Sequence, residues 1–415
     1  MLAVARVELS GMASDAIGLG ADKRACVAPE SVRLLDGGGQ AYPRMLAAIE
    51  QARHSIHLEV YAFASRGVGA SFIETLGRAA GRGVKVHVQI DGWGSARGGL
   101  AVADALQALG CDVHIYHRLL ALLIGRFGRN HRKVLLIDDE VAFLGGINIG
   151  DENVDQGVRL AWADLALEIR GPQCGLLGQI VRGEPGQAVA SALRVYLSGL
   201  GGGWRLRRRY LKAFAIARQR IHVAHGYFLP DRGIVRAITA AAQRGVEVHL
   251  LLAGRCDVPF ARAATRSLYR HLLAAGVVIH EWNESVLHAK VATIDGRRLL
   301  VGSFNLEPLS LANLETLVEV VDTHLVGQVE AWILDHVARS RSITSAEAGT
   351  WQQRWLLDPL GRFVARLVNM VGVVIASRKR RKAHATKATP PAGCKVRIHE
   401  HARRKRLRLK GWKIA

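Results

Sequence analysis

Two eight-residue stretches, His131-Arg-Lys133-Val-Leu-Leu-Ile-Asp138 and His288-Ala-Lys290-Val-Ala-Thr-Ile-Asp295, stand 157 residues apart in a chain of 415, and each leads to a glycine-headed asparagine. That second element is Gly145-Gly146-Ile-Asn148 in one copy and Gly302-Ser303-Phe-Asn305 in the other, so His and Asn are 17 residues apart both times. A strand repeats its face every second residue, which puts His131 with Lys133 and His288 with Lys290. Seven positions separate each His from its Asp, so parity places Asp138 and Asp295 on the reverse face, bracing the motif rather than touching a substrate. A turn after each strand, opened by the glycines, returns Asn148 and Asn305 to the imidazole face. Each copy then offers an imidazole, an ammonium and a carboxamide. Two copies facing one another surround a single phosphate, which suits a phosphodiester transition state bearing negative charge.

Paired histidines could instead bind a metal. An ammonium has no lone pair to give and repels a cation, so His-x-Lys is a poor ligand set. No His-x-x-x-His or Cys-x-x-Cys spacing lies near either copy. The residues therefore imply neither a metal nor a cofactor. A catalytic imidazole does need an orienting carboxylate, because a hydrogen bond to one ring nitrogen fixes the tautomer and makes the other nucleophilic. Asp164 and Glu315 are the candidates, 33 residues after His131 and 27 after His288, so each is read against the histidine that precedes it. Glu59 and Tyr61 are candidates for headgroup contacts, and the cluster from Arg205 to Arg209 attracts phosphate or is simply solvated.

Both copies match the signature His-x-Lys-x4-Asp-x6-Gly-[Gly/Ser]-x-Asn, and the chain resembles the phospholipase D superfamily. The longer contexts narrow the resemblance. Arg129-Asn-His131-Arg-Lys133 with Phe143-Leu-Gly-Gly-Ile-Asn-Ile149, and Gly302-Ser-Phe-Asn-Leu-Glu-Pro-Leu-Ser310 with Asn313-Leu-Glu315, look like bacterial cardiolipin synthases. Tyr227-Phe-Leu-Pro230 and Asp91-Gly92 are similar to that family at matching places. The likeness covers residues 31 to 345 and is to the shorter subtype without amino-terminal membrane spans. It implies two tandem phospholipase D-like α/β/α sandwich domains related by a pseudo-twofold axis and sharing one active site. The implied catalytic set is His131, Lys133, Asp138, His288, Lys290 and Asp295, with Asn148 and Asn305 binding phosphate and Asp164 and Glu315 as the acids. The implied reaction moves a phosphatidyl group from phosphatidylglycerol to a second phospholipid alcohol through a phosphohistidine, with His131 as nucleophile and His288 as acid and base. The competing readings are a phospholipase D-type hydrolase or nuclease and, last, a non-enzymatic polyanion-binding protein.

The elements that must carry these residues also repeat. His54-Ser-Ile-His-Leu58 corresponds to Gln219-Arg-Ile-His-Val223, and Arg82-Gly-Val-Lys-Val-His87 to Arg244-Gly-Val-Glu-Val-His249. Helical spacing of apolar residues predicts helices over 44–52, 71–80, 233–243 and 263–274, and short apolar runs predict strands over 84–90 and 246–252. Each half reads strand, helix, strand, helix, catalytic strand, so the fold class is α/β, with helices covering a largely parallel sheet. The predicted divisions are an arm over 1–30, a first domain over 31–197, a glycine-rich hinge over 198–203 and a second domain over 204–345. An amphipathic, interfacial segment over 346–376 and a basic, disordered tail over 377–415 follow.

Charge is concentrated at the carboxyl end. Residues 377–415 hold fifteen Lys or Arg and one acid, giving +14 of the total +22. Such a run seeks a polyanion, and an anionic membrane surface is preferred over nucleic acid because no aromatic-interleaved basic surface accompanies it. Residues 119–124 and 363–375 are apolar and flanked by arginine, which suits contact with acyl chains or the headgroup layer. Neither is long enough to span a bilayer, and the amino terminus lacks the pattern of a signal peptide. Five scattered cysteines, Cys26, Cys111, Cys174, Cys256 and Cys394, read as reduced thiols. The implied location is peripheral, on the cytoplasmic face of a bacterial cell membrane.

Overall fold

The computed structural model describes residues 31–348, apart from 97, 118–127, 185–191, 200 and 256–258. The apolar segments 119–124 and 363–375, the arm, the tail and three of the cysteines lie outside the described residues. Cys111 and Cys174 are free and buried.

The first half runs β1 (Ser31–Asp36), α1 (Gly37–Gln51), β2 (Ser55–Val60), α2 (Val68–Gly81), β3 (Lys85–Asp91), α3 (Gly99–Ala108), β4 (Asp112–Tyr116), β5 (Val134–Ile137), β6 (Val141–Gly145), β7 (Leu165–Arg170) and α4 (Pro172–Val181). After β8 (Leu193–Leu197) the pattern restarts with α5 (Gly203–Ile216), β9 (Arg220–His225), α6 (Arg232–Gln243), β10 (Glu247–Ala253), α7 (Pro259–Arg266), α8 (Tyr269–Ala274) and β11 (Val278–Trp282). It continues through β12 (Lys290–Ile294), β13 (Arg298–Gly302), β14 (Thr316–Val321), α9 (Thr323–Ala338), β15 (Arg341–Ile343) and α10 (Ser345–Ala348).

The strands form two sheets, ordered β1-β7-β6-β5-β2-β3-β4 and β15-β11-β10-β9-β12-β13-β14-β8. Alternation of β and α elements predicts a largely parallel sheet. Among the described strands only β2-β3-β4 and β9-β10-β11 pair in parallel, and the remaining neighbours are antiparallel. The reason is local: crossover helices join the parallel strands, whereas β5-β6 and β12-β13 are tight hairpins that reverse the chain. The apolar run predicted as one helix over 263–274 divides into α7 and α8, where the Ser267 hydroxyl bonds back to the Ala264 carbonyl.

Burial explains why β5 and β6 read as unbroken apolar runs. Leu135, Ile137 and Phe143 pack on one face with Phe72, Leu76 and Ile49 of the helical layer. Val134, Leu136 and Leu144 pack on the other face with Val291, Leu299 and Val320 of the opposite sheet and with Val326 and Ile333 of α9. The sheets therefore meet face to face at their antiparallel parts, with α4 and α9 flanking the junction. Further ties cross it, including the Trp332 indole nitrogen to Asp36 at 2.9 Å and parallel bridges of Asn130 with Leu314 and Ala163 with Leu287.

The boundary predicted at 197 moves. Leu193–Leu197 pairs antiparallel with β14 and closes the edge of the second sheet, so it belongs to the second half. Ser198, the first residue of the predicted hinge 198–203, is tied to the second half and to Arg132. Ser198 donates its amide to the Glu315 carbonyl and accepts the Glu315 amide on its hydroxyl, both at 2.8 Å, and its carbonyl accepts from Arg132. No helix among the described residues is long and apolar enough to cross a membrane.

Candidate active site

β2, β3, β6 and β9 end, and β5, β7 and β12 begin, at one rim of the paired sheets. Asn130 and His131 pair with Leu314 of the other half, the His131 amide donating to the Leu314 carbonyl at 2.9 Å. His288 and Ala289 likewise donate their amides to the Ala163 carbonyl at 2.8 and 3.0 Å. Each histidine is thus held by a strand segment of the opposite repeat.

This exchange crosses the dyads. His131 Nδ1 lies 3.0 Å from Glu315 Oε2, and His288 Nδ1 lies 2.6 Å from Asp164 Oδ2. The same-half pairing read from the offsets of 33 and 27 residues is therefore corrected: each acid serves the histidine of the other repeat. Both acids are buried. A carboxylate facing Nδ1 holds the proton there and turns the lone pair of Nε2 toward a reactant.

The variable position of the signature now has a physical meaning. A Cβ at Gly146 would lie 2.2 Å from Asp164 Oδ1, so glycine leaves room for the short acid to reach His288. At the matching place Ser303 donates its hydroxyl to Glu315 Oε2 at 2.5 Å and its carbonyl is a second acceptor for His131 Nδ1 at 3.1 Å.

Asp138 and Asp295, counted with the catalytic signature, do not enter the site. Each sits in the hairpin turn at the far end of its strand, with φ of 53° and 52°, a left-handed conformation that Asp tolerates. The Asp138 carboxylate accepts the amides of Arg53, His54 and Ser55 at 2.8 Å, and Asp295 those of Arg218, Gln219 and Arg220. They clamp the hairpins to the starts of β2 and β9. Parity in the strand kept them off the imidazole face but did not place them in the turns.

Lys133 donates to the His131 carbonyl at 2.8 Å, and Lys290 donates to the His288 carbonyl. Tyr61 meets His131 edge-on at 4.8 Å, and Tyr227 meets His288 in the same manner at 6.1 Å. Trp162 packs on His288 from another side at 5.3 Å. Glu59 holds Asn130 at 2.7 Å and Arg132 at 3.1 Å, and Asp91 accepts the Asn130 amide at 2.8 Å, so both secure the approach to His131 rather than meet a headgroup. Within the Arg205–Arg209 cluster, Arg207 and Arg209 are spent on ion pairs with Asp231 and Glu319.

The carboxamides differ. Asn148 Oδ1 accepts the Ala62 amide at 3.2 Å, which leaves its Nδ2 as a donor. Asn305 Nδ2 gives one of its two hydrogens to Glu307 Oε1 at 3.3 Å, and its Oδ1 is buried without a partner among the described residues. Each NH2 group keeps a hydrogen to donate, so both carboxamides remain candidates for phosphate.

Burial dominates the electrostatics. It lowers His131, with Lys133 and Lys290 adding to the effect and Glu315 opposing it. It brings His288 down to about 4, helped by Lys290, and Lys133 down to about 7, again helped by Lys290. Burial thus favours the neutral form of both imidazoles. An anionic phosphodiester between the two lysines favours the ammonium and imidazolium forms again.

A duplicated α/β scaffold with two crossed histidine–carboxylate dyads and two lysines defines a two-histidine phosphodiester site. The chain belongs to the family described as "Cardiolipin synthase, PLD-like domain", which matches residues 45–163 and 210–337. It is 35% identical over 308 residues to cardiolipin synthase B of Salmonella typhi, covering 68% of this chain and 75% of that protein. It is 33% identical over 320 residues to cardiolipin synthase B of Escherichia coli strain K12, covering 71% and 77%. Its fold is similar to that of phosphatidylserine synthase from Haemophilus influenzae Rd KW20, with a TM-score of 0.66 at 14% identity over 83% of this chain and 94% of that one.

Proposed function

We propose that this chain is a phosphatidyltransferase that makes cardiolipin from phosphatidylglycerol and a second phospholipid alcohol. The observation that carries the reading is the pair of crossed dyads, which gives one site two imidazoles with their Nε2 atoms available and two lysines beside them. His131 Nε2 attacks phosphorus, the N–P bond forms, and the P–O bond to glycerol breaks as His288 gives its Nε2 proton to the departing oxygen. The acceptor hydroxyl then gives its proton to His288, its oxygen bonds to phosphorus, and the P–N bond breaks, restoring both histidines. Lys133, Lys290 and the Nδ2 groups of Asn148 and Asn305 bind the nonbridging oxygens as charge develops. The lysines supply the positive charge that a metal would otherwise bring.

The family and the two lysine-flanked imidazoles also support phospholipid as substrate, and the basic tail supports attachment to an anionic membrane, which the sequence reading puts on the cytoplasmic side. Nucleic acid is the less favoured partner. The test is incubation of the purified full chain with phosphatidylglycerol labelled in its phosphate, assaying lipids and, separately, cleavage of DNA. Cardiolipin and free glycerol in equal amounts support the reading. Phosphatidic acid alone, or nuclease activity alone, would replace it.

A further inference from the structure

A second set of histidines recurs in the two repeats, on the parallel strands. His57 of β2 stands opposite His87 of β3, and His222 of β9 stands opposite His249 of β10, in matching register. His57 also pairs with Leu136 of β5, so this row lies on the sheet face turned away from α1 and α2. The two rows meet different surroundings. In the second repeat α9, sixteen residues long, packs across β9, β10 and β11 and brings Glu330 to Arg220 at 2.9 Å and to His222 at 3.7 Å, while Glu247 takes His249 at 2.8 Å. The fold supplies its own carboxylates there. In the first repeat α4 has ten residues and packs on β5, β7 and β8, and the residue aligned with Glu247 is Lys85. The charge at that place is inverted.

Among the described residues this leaves a cleft of about 620 Å³ over Leu136, lined by Arg53, His54, His57, Lys85, His87 and Arg182. The one acid lining it, Asp139, is paired with Arg182 at 2.9 Å, and Arg182 also meets Glu184. Glu59 reaches His57 Nε2 at 3.1 Å and Asp112 reaches His87 Nδ1 at 2.8 Å, which leaves each imidazole its second nitrogen. Arg53 and Lys85 form no ion pair among the described residues. A concave site lined by one sign of charge concentrates anions, and this one has the size of a small-ligand pocket.

We propose that this cleft binds a phosphomonoester or diphosphate group, free in solution or at the head of a lipid. It lies at the starts of β2 and β3, the ends remote from His131, and it does not depend on the transfer reading above. Arg53 and Lys85 offset the charge, and the imidazolium forms of His57 and His87 donate from their second nitrogens. A phosphate suits this set better than a carboxylate, because it carries up to two charges and three acceptor oxygens.

The test is acylation of the full-length protein by diethyl pyrocarbonate, with modification of His54, His57 and His87 followed by peptide mass spectrometry. The reading is local, so anions held by the basic tail do not enter it. The probes are sodium diphosphate and phosphatidylcholine vesicles with or without phosphatidic acid. A ligand at about ten times its Kd leaves about a tenth of the sites empty, so acylation of these histidines should slow by about tenfold. Lys85→Glu, which gives the first repeat the charge of the second, should remove the protection. Arg236→Glu, the same change of charge on an exposed residue of α6, should keep it. Protection by diphosphate places the ligand in solution, and protection only by vesicles containing phosphatidic acid makes it a head group. Acylation within about twofold of the unliganded rate with both probes overturns the proposal. Protection that survives Lys85→Glu, or is lost equally in Arg236→Glu, overturns it too.

Discussion

Replacing Asp164 by Asn probes the crossed dyad with almost no change in shape. Asp164 Oδ1 accepts the Leu165 amide at 2.8 Å, so the Asn side chain must keep its oxygen there and present its NH2 group to His288 Nδ1. That reverses the hydrogen bond. Nδ1 becomes an acceptor, the ring proton moves to Nε2, and His288 can no longer take a proton from an acceptor alcohol. An equivalent change in a serine-type triad costs about 10^4 in turnover, and a loss of about 10^3 to 10^4 in kcat on phosphatidylglycerol is expected. With phosphatidyl-p-nitrophenol, whose leaving group needs no proton, Asp164→Asn should release one nitrophenolate per chain and then stall. Glu315→Gln should cost less, about 10- to 100-fold, because the Ser303 carbonyl at 3.1 Å still holds the Nδ1 proton of His131. Turnover by Asp164→Asn within tenfold of the parent, or the absence of a burst, would refute the reasoning.

Asp295→Asn, which keeps a residue tolerant of positive φ, should lower stability by about 1–2 kcal/mol in urea unfolding while kcat stays within about twofold; a hundredfold loss of kcat would return Asp295 to the chemistry. Lys133, held down to about 7 by burial, is expected to bind its proton less well folded than unfolded. The unfolded chain therefore binds more protons between pH 7 and about 10, and stability rises with pH across that window. Lys133→Met should flatten this rise and raise the melting midpoint at pH 7 while abolishing turnover; an unchanged pH slope would count against the assignment. Because Lys133 and Lys290 supply the cationic charge, activity should survive exhaustive EDTA treatment, and loss restored only by a divalent ion would contradict this. Deleting residues 377–415, with their +14 charge, should weaken sedimentation with anionic vesicles at low salt without ending turnover on detergent-dispersed lipid. Equal binding by both forms would reject a membrane role for the tail.

The repeat and the lysine-flanked histidines were legible in the sequence because their types and spacing recur, whereas Asp164 and Glu315, unlike in type and offset, were candidates by the need of an imidazole for an orienting acid. The crossing was not legible. His131 and Glu315 are 184 positions apart and His288 and Asp164 are 124, and separation along the chain does not say which half folds over which. Residues 193–197 lie before the glycine-rich stretch, yet their partner β14 decides that they close the second sheet. Strand parity excluded Asp138 and Asp295 from the imidazole face but carried no information about hairpin turns.

The most direct measurement of the central claim, one shared site whose two histidines play unlike parts, is to locate the covalent intermediate. Asp164→Asn protein charged with phosphatidyl-p-nitrophenol, quenched in alkali and digested, should carry the phosphatidyl group on the peptide containing His131 and none on the peptide containing His288. Because Asp164→Asn leaves His288 Nε2 protonated and unable to attack, a reversal of roles would show as no nitrophenolate burst and no adduct on either peptide, and full nitrophenolate release with no adduct on either histidine would contradict the account.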